Sequence, residues 1–332
     1  MRTLSKVSIF IAIIAIFYLA GPKLDIQPVS NGLPALYVTH ENVEQVVEEL
    51  EAGQSIRPDN HARIVWANDS IKKRTPYSIL YLHGFSASWY EGHPVHTHVS
   101  KEIGANLYLS RLHSHGLETT APLIDMQPDL LYESAKEALL IARALGEKVI
   151  VMGTSTGGTL ALMLAVDFPE LVESVVLLSP NIFISKMSAV FLTKPWGLEF
   201  ARNFGGSRGE FRVLEPESEN ESRYWYMKYR WEAVVYLQGL IETSMNKSLF
   251  KQVKQPVFMG YYYKNEEEQD QVVDVPAMLK MFENLGTPHH LKKKVAFPNA
   301  GNHVIGCEIM SGSVPEVQAE ILSFLKQFNN FE

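Results

Sequence analysis

The segment "VIVMGTSTGGTLALMLA", residues 149–165, joins two apolar runs through a turn of small residues. The first run predicts a buried strand, and the second predicts a helix from about residue 156 to 167. Between them, the letters from Gly153 to Gly157 satisfy G-x-S-x-G, with a strand before the motif and a helix after it. Glycines suit this turn because a β-carbon would clash where the serine backbone bends sharply. The segment therefore predicts Ser155 as a nucleophile, with a hydroxyl in a small-residue turn as the alternative.

The same alternation of strand and helix patterns continues on both sides of this bend. Strands are predicted at residues 63–68, 78–84, 105–112, 148–153, 174–180, 256–263 and 293–298. Helices are predicted at residues 41–53, 128–145, 156–167, 276–285 and 315–328. Continuous apolar strands separated by helices indicate an α/β fold, with a mostly parallel central sheet and helices on both of its faces.

One interval interrupts this rhythm. Residues 183–255 contain no clear strand pattern, and the stretch "RYWYMKYRWEAVVYLQGLIETSMNKSLF" is aromatic and helical in character. An interval of roughly 70 residues is far longer than a connection between two strands requires. We therefore expect a helical cap inserted late in the sheet. We predict a core at residues 61–182 and 256–332, a cap at 183–255, a tether and N-terminal helix at 25–60, and a separate leader at 1–24.

The leader, residues 1–24, carries Arg2 and Lys6 ahead of an apolar run from residue 7 to 20. This layout predicts a secretory signal or a membrane anchor. The anchor is slightly favoured because cleavage after Ala20 would leave the bulky Tyr18 at the −3 position. A helix of this length rises about 21 Å against a hydrocarbon core of about 30 Å, so flanking residues would have to help. The charges predict a globular part outside the cytoplasm, periplasmic or extracellular, with membrane contact through the leader.

Composition excludes several classes of function. The chain of 332 residues is 46% hydrophobic and 20% charged, which is enough for a sizeable core. Its net charge of −7 and the lack of a basic stripe argue against a nucleic-acid partner. Cys307 is the only cysteine, so neither an intrachain disulfide nor a C-x-x-C metal site can form. We expect no cofactor.

A second motif lies upstream, where "YLHGFSAS", residues 81–88, follows an apolar strand. With G-x-S-x-G, it makes the chain from about residue 62 to its end resemble serine hydrolases of the α/β-hydrolase superfamily, similar to carboxylesterases and monoacylglycerol lipases. The resemblance implies that the backbone N–H groups of Phe85 and Thr156 form an oxyanion hole, where losing one donor typically costs about 10²–10³ in rate. His83 is expected to brace the loop rather than to react.

A nucleophilic serine needs a histidine base, which follows the acid in the order Ser, Asp or Glu, His. Three histidines follow the cap. His289 and His290 precede the last predicted strand, whereas His303 follows it in the loop "FPNAGNHVIG". Active sites of open α/β sheets lie at the carboxyl ends of the strands, which favours His303. The resemblance agrees, since relatives carry their histidine in a similar G-x-H loop.

The acid is expected after the strand at residues 256–263. Asp270 fits the Asp-x-Val-Val pattern of the resembled family, whereas Asp274 is better placed to cap the next helix. The segment "KNEEEQ" makes the preceding loop longer than usual, which leaves Glu266, Glu267 and Glu268 open as alternatives. Asp270 is the favoured acid.

Two other sets of residues carry possible functions. The first consists of the histidines in "HPVHTH" and "RLHSHG", of which His115 is expected in a loop near the mouth of the site: His93, His96, His98, His113 and His115. No H-E-x-x-H pattern accompanies them, so a metal site is not expected. The second consists of the aromatic residues from position 224 to 231. These predict either an apolar acyl pocket or simple packing of the cap onto the core.

The resemblance implies a hydrolase that cleaves carboxylic esters, including lipid-derived ones, through a triad of Ser155, His303 and Asp270 and an acyl-enzyme. The expected partner is a small-molecule ester with an apolar acyl part. Thioesterase, peptidase and acyltransferase activities use the same triad and stay open, as does a non-catalytic binding protein of this fold.

Overall fold

The structure, a computed structural model, describes residues 2–328, and the side chains of these except residues 2–5, 7, 9 and 187. Residue 1 and residues 329–332, the ends of the predicted leader and core, lie outside the described residues. The strands are β1 (Arg63–Val65), β2 (Thr75–Leu82), β3 (Asn106–Leu109), β4 (Gly146–Thr154), β5 (Val172–Leu178), β6 (Phe211–Val213), β7 (Lys228–Arg230), β8 (Val257–Tyr261) and β9 (Lys292–Ala296). The helices are α1 (Arg2–Leu19), α2 (Val43–Glu51), α3 (Val95–Glu102), α4 (Pro128–Leu145), α5 (Thr156–Asp167), α6 (Gly197–Phe204), α7 (Glu219–Tyr224), α8 (Trp231–Ser244), α9 (Lys247–Gln252), α10 (Val275–Asn284) and α11 (Val314–Phe328).

Within the described part of the chain, seven strands form one sheet in the order β1-β3-β2-β4-β5-β8-β9. Strand β1 is antiparallel to β3, and every other neighbouring pair is parallel. These seven strands are the ones that the apolar runs predict. The predicted fold class, a mostly parallel sheet covered by helices, is therefore confirmed.

The central strands are apolar throughout because both of their faces are covered. On β2, Leu80 and Leu82 point into the core beneath α4 and α5, while Ile79 and Tyr81 point to the opposite face against α3 and α11. All four side chains are fully buried. Helix α5 is buried along its length from Thr156 to Ala165. The turn of small residues at the N-terminus of this helix therefore lies at the carboxyl edge of the sheet.

The segment between β5 and β8, called the cap below, contains helices α6 to α9 and a two-stranded antiparallel ribbon. The prediction that residues 183–255 hold no strand is wrong, because β6 pairs with β7 from Phe211–Arg230 to Val213–Lys228. These three-residue strands are partly exposed and lack the apolar run that marks a buried strand. Arg230 supports the ribbon through ion pairs to Glu210 and Glu232.

The N-terminal helix α1 comprises 18 residues, which rise about 27 Å. The expected transmembrane anchor is not supported: among the described residues, no helix has the length and apolar character that crossing a membrane requires. The segment predicted as a tether packs along the fold instead of leading away from it. Ile26 fills the space over Gly239 of α8, and the buried Lys136 ammonium donates to the carbonyl oxygens of Ser30 and Gly32.

Candidate active site

Ser155 occupies the bend between β4 and α5. Its backbone has φ 52° and ψ −117°, a left-handed conformation that costs a non-glycine residue roughly 1–3 kcal/mol. The surrounding structure holds the bend in place, since Ser155 N–H donates to the Leu178 carbonyl at 2.9 Å and Asn181 N–H donates to the Ser155 carbonyl at 2.9 Å. The side chain is held rigidly at the carboxyl edge of the sheet.

The glycines flanking Ser155 are required by close backbone approach. A β-carbon on Gly157 would lie 1.9 Å from the carbonyl oxygen of Leu82, on the neighbouring strand. One on Gly153 would lie 2.3 Å from the carbonyl oxygen of Gly157. Real β-carbon contacts do not reach such distances, so a side chain at either position would force the strand and the helix apart.

His303 lies in the loop after β9, and its imidazole contacts Asp270. The Nδ1–Oδ2 distance is 2.6 Å, and the His303 and Asp270 side chains are 9% and 0% exposed. The other Asp270 oxygen accepts the backbone N–H groups of Val272 at 2.8 Å and Val273 at 3.0 Å. With Nδ1 donating to Asp270, the Nε2 atom is the imidazole's remaining site, and it is buried without a hydrogen-bond partner among the described residues.

The long loop before Asp270 folds back on itself. Tyr263 and Gln269 form an antiparallel bridge, which returns the chain to the end of β8. Lys264 pairs with Glu268 at 2.8 Å across the loop, and the Asn265 side chain accepts two backbone N–H groups within it. The extra residues therefore form an exposed excursion, and Asp270 emerges at its base beside the sheet.

The alternative acids lie elsewhere. Asp274 caps α10 by accepting the Ala277 N–H at 2.7 Å. Glu266, Glu267 and Glu268 are exposed on the excursion. Of the candidate acids, the structure thus brings Asp270 to His303.

The charge state of His303 follows from its surroundings. Burial alone would lower its pKa, but the charge and hydrogen bond of Asp270, together with the nearby Glu91, raise the pKa of His303 above the ordinary value of 6.5. His303 and Ser155 line the same cavity. No hydrogen bond joins Ser155 Oγ to His303 Nε2 among the described residues, and such contacts often tighten only when substrate is bound.

Two buried histidines hold the loop from His83 to Ser86 beside Ser155. His83 Nε2 accepts the Leu112 N–H at 3.1 Å, so its Nδ1 carries the proton donated to the Gly84 carbonyl at 2.9 Å. His115 Nε2 accepts the Ser86 N–H at 3.1 Å. Burial lowers the pKa of His83 to about 4 and that of His115 well below its ordinary value, so both imidazoles are neutral and able to accept.

The N–H groups of this loop are allocated in a definite pattern. Glu91 accepts the Gly84 N–H, and His115 accepts the Ser86 N–H. Among the described residues, no acceptor receives a hydrogen bond from the N–H of Phe85 or from that of Thr156, at the N-terminus of α5. Both N–H groups are therefore available to a ligand at this edge of the sheet.

Sequence reasoning missed Glu91. It is 2% exposed, accepts the Gly84 N–H and lies 3.5 Å from the Tyr81 hydroxyl. Burial raises the pKa of Glu91 to about 7, against the opposing effects of the Gly84 N–H and the nearby His303. A single glutamate in "SASWYEGH" gives no sequence signal of burial, because the residues around it in the fold, such as the cavity-lining Trp225, are distant in the sequence.

The cavity around Ser155 has a volume of about 430 Å³. Its core wall carries polar groups, including Ser86, Glu91, Ser155, Asn302 and His303. Its cap wall is largely apolar and is lined by Phe200, Phe204, Leu214, Trp225, Trp231 and Leu237. The cavity can hold a ligand with a polar end and an apolar body.

The remaining histidines do not join this site. His289 and His290 form an exposed turn before β9. Across residues 2–328 as described, no group of three or more histidine, cysteine, aspartate or glutamate side chains could hold a metal ion.

Comparisons with known proteins agree with the fold. The model described as "Alpha/beta hydrolase family" matches residues 79–307. Among solved structures, the chain is similar to one reported with the metagenome-derived lipolytic enzymes LipS and LipT, at a TM-score of 0.65 and 16% identity over 82% of this chain and all of that one. It is also similar to the Paleococcus ferrophilus monoacylglycerol lipase, at a TM-score of 0.56 and 13% identity over 81% of this chain and 99% of that one.

A third similar structure is Est1E from Butyrivibrio proteoclasticus with bound ferulic acid, at a TM-score of 0.52 and 15% identity over 81% of this chain and 94% of that one. At these identities the likeness establishes the fold. No curated protein sequence matches this chain.

Proposed function

This chain belongs to the alpha/beta hydrolase family, and from that premise we propose that it is a serine hydrolase that cleaves carboxylic esters. One observation carries the proposal. Ser155, on its strained bend, and His303, paired with Asp270 at 2.6 Å, line one cavity. A serine, a histidine and a buried carboxylate in this arrangement constitute the machinery of acyl transfer.

In the proposed acylation step, Ser155 Oγ attacks the carbonyl carbon of the ester while His303 Nε2 takes its proton. Asp270 holds the imidazole with Nδ1–H toward the carboxylate, so that Nε2 faces the serine, and it stabilises the imidazolium that forms. The imidazolium then protonates the leaving alkoxide as the carbon–oxygen bond breaks. The products are a free alcohol and an acyl group bound to Ser155.

The negative charge that develops on the carbonyl oxygen needs fixed donors. The free N–H groups of Phe85 and Thr156 are the proposed oxyanion hole, and the N-terminus of α5 adds its positive dipole end at the same point. Because these donors belong to the backbone, they are preorganised before substrate arrives. Deacylation repeats the chemistry with water, which His303 deprotonates as it attacks the acyl carbon.

The proposed substrate is an ester whose acyl or alcohol part is apolar. The cap wall supports this because most of its side chains are aromatic or aliphatic, beside the polar Lys186, Ser188, Arg212 and Glu221, and burying apolar substrate surface against it contributes about 25 cal/mol per Å². The fold-level likeness to the P. ferrophilus monoacylglycerol lipase is compatible with a lipid-derived ester.

The test is steady-state hydrolysis of p-nitrophenyl butyrate by the full chain and by Ser155→Ala. We expect the alanine variant to lose at least about 10⁴ in kcat while keeping the native melting temperature within a few degrees. Equal turnover by both proteins would contradict the proposal. Parallel assays with the matching thioester and anilide distinguish an esterase from a thioesterase or an amidase.

We also propose that the globular part of the chain lies outside the cytoplasm. Arg2 and Lys6 precede the apolar run of the leader, which favours a globular part outside the cytoplasm. Adding protease to intact spheroplasts that express the full chain should degrade the domain. Protection until the spheroplasts are lysed would contradict an external location.

A further inference from the structure

Glu91 is a buried carboxyl beside the proposed nucleophile that the triad does not use. A β-carbon placed on Gly84 would lie 2.7 Å from Glu91 Oε1 and 3.1 Å from Ser155 Cβ. The space left by the missing side chain of Gly84 therefore borders both this carboxyl and the serine. Glu91 also lines the same cavity as Ser155 and His303.

The contacts of Glu91 tie three elements together. Its Oε2 accepts the Gly84 N–H and lies 3.5 Å from the hydroxyl of Tyr81, which in turn contacts Thr154 Oγ1 at 2.9 Å, one residue before the serine. The side chain of Trp225, in the cap, lowers the pKa of Glu91 and lines the same cavity. The carboxyl therefore joins the loop beside the serine to strands β2 and β4, next to the cap.

The hydrogen bond from the Gly84 N–H to Glu91 helps to hold the backbone around Phe85. With Gly84 N–H taken by Glu91 and Ser86 N–H taken by His115, the backbone is held on both sides of Phe85. Ser86 has φ 63°, and its carbonyl accepts the Tyr226 N–H of the cap at 2.8 Å. These contacts fix the direction of the free Phe85 N–H.

We propose that Glu91 is a positioning residue for the oxyanion hole, acting through the Gly84 N–H to aim the Phe85 N–H at the reacting carbonyl oxygen. This inference rests on the proposed function. The Glu91 carboxylate has a second effect, because its negative charge helps to hold a proton on His303. The other titratable groups that face Glu91 are the Tyr81 hydroxyl on β2 and the Cys307 thiol in the loop after His303.

The Tyr81 hydroxyl and the Cys307 thiol do not change charge near neutral pH. Burial raises the pKa of Cys307 to about 12 and that of Tyr81 well above its ordinary value, so both stay protonated. Glu91 and His303 are therefore the groups that titrate near neutral pH: burial raises the pKa of Glu91 to about 7, and Asp270 and Glu91 raise the pKa of His303 against the effect of burial. Removing the charge of ionised Glu91 lowers the pKa of His303 and moves the acid limb of kcat/KM to lower pH.

The experiment compares Glu91→Ala, Glu91→Gln and the control Glu308→Gln in hydrolysis of p-nitrophenyl butyrate. Glu308 is 49% exposed and contacts the Tyr90 hydroxyl at 2.8 Å, so it offers a neighbouring carboxylate outside the oxyanion loop. We expect Glu91→Ala to lower kcat roughly 10- to 100-fold with KM within about threefold, because misaimed donors weaken transition-state binding. Glu91→Gln keeps an acceptor for Gly84, so its kcat should stay within about fivefold of native.

The pH profile separates positioning from simple packing. We expect the acid limb of Glu91→Gln to move to lower pH, while the limb and kcat of Glu308→Gln match the native chain. A folded Glu91→Ala with native kcat would overturn the inference; if the alanine variant fails to fold, native kcat in Glu91→Met, which has a similar volume but no acceptor for the Gly84 N–H, would overturn it. Loss of native turnover itself, with Ser155→Ala as the reference, would instead indicate failure of the proposed function.

Discussion

The two walls of the cavity differ in how their side chains are held. On the core wall, His303 is 9% exposed at its side chain and bonded to a fully buried Asp270, and Ser155 is 6% exposed. On the cap wall, Phe200 is 49% and Phe204 is 74% exposed. Chemistry needs fixed geometry, whereas recognition of an apolar chain needs only apolar surface. We therefore expect mutations of the core wall to change kcat and those of the cap wall to change KM.

The cap is nevertheless held firmly at one end. Arg57 donates to the carbonyl oxygens of Trp225, at 3.0 Å, and of Ser222, and the Tyr224 hydroxyl donates to Asp59 at 2.6 Å. At this end the cap contacts the loop beside the serine, whereas the exposed phenylalanines lie on α6. The end of the cap that contacts the loop beside the serine is therefore held firmly, whereas helix α6 is exposed.

The largest expected effect comes from the core wall. Asp270→Asn should lower kcat by roughly 10³–10⁴, because an asparagine at this position no longer stabilises the required imidazole tautomer. The matched control is Asp274→Asn, four residues away, where asparagine still caps α10 and kcat should stay native. If the two variants exchanged these results in steady-state assays, Asp274 would be the acid.

An intermediate effect is expected from the cap wall. Phe204→Ala should raise KM for p-nitrophenyl laurate about 3- to 10-fold and leave kcat nearly unchanged, because it removes apolar surface lining the cavity. Phe191→Ala is the control, since Phe191 is 60% exposed but does not line the cavity. A kcat effect equal to the KM effect would mean that the cap wall also takes part in the chemistry.

The smallest expected effect is a shift of the acid limb of kcat/KM. The pKa of His303 is raised above 6.5, and the base must be neutral to accept the serine proton, so kcat/KM should fall as pH drops through a value above 6.5. The measurement is kcat/KM between pH 5 and 9 in buffers of constant ionic strength. An acid limb below the ordinary histidine value would argue against an ion pair between His303 and Asp270 in the free enzyme.

The sequence predicted much of this fold because the relevant signals are local. The buried strands are continuous apolar runs, and Ser155 and His303 each lie in a short motif at the end of such a strand. The acid could not be decided in this way, since Asp270 reaches His303 only because the Tyr263–Gln269 bridge folds the excursion back. From the local sequence alone, both Asp270 and Asp274 were candidates for the acid.

Other features depend on contacts between distant parts of the chain. The ribbon of β6 and β7 has no apolar run, so nothing in the letters marked it as a strand. Glu91 is buried beside Ser155 and shares a cavity with the distant Trp225, and its sequence neighbours do not signal this. Long-range packing of this kind is what single-sequence patterns cannot express.

The most direct test of the central claim is covalent labelling with a fluorophosphonate, which reacts with activated serines, followed by peptide mass spectrometry. We predict one adduct, on the peptide that contains Ser155, and no adduct in Ser155→Ala although that variant remains folded. Asp270→Asn should label far more slowly than Asp274→Asn. Labelling that persists in Ser155→Ala, or that never occurs in the native chain, would contradict the account.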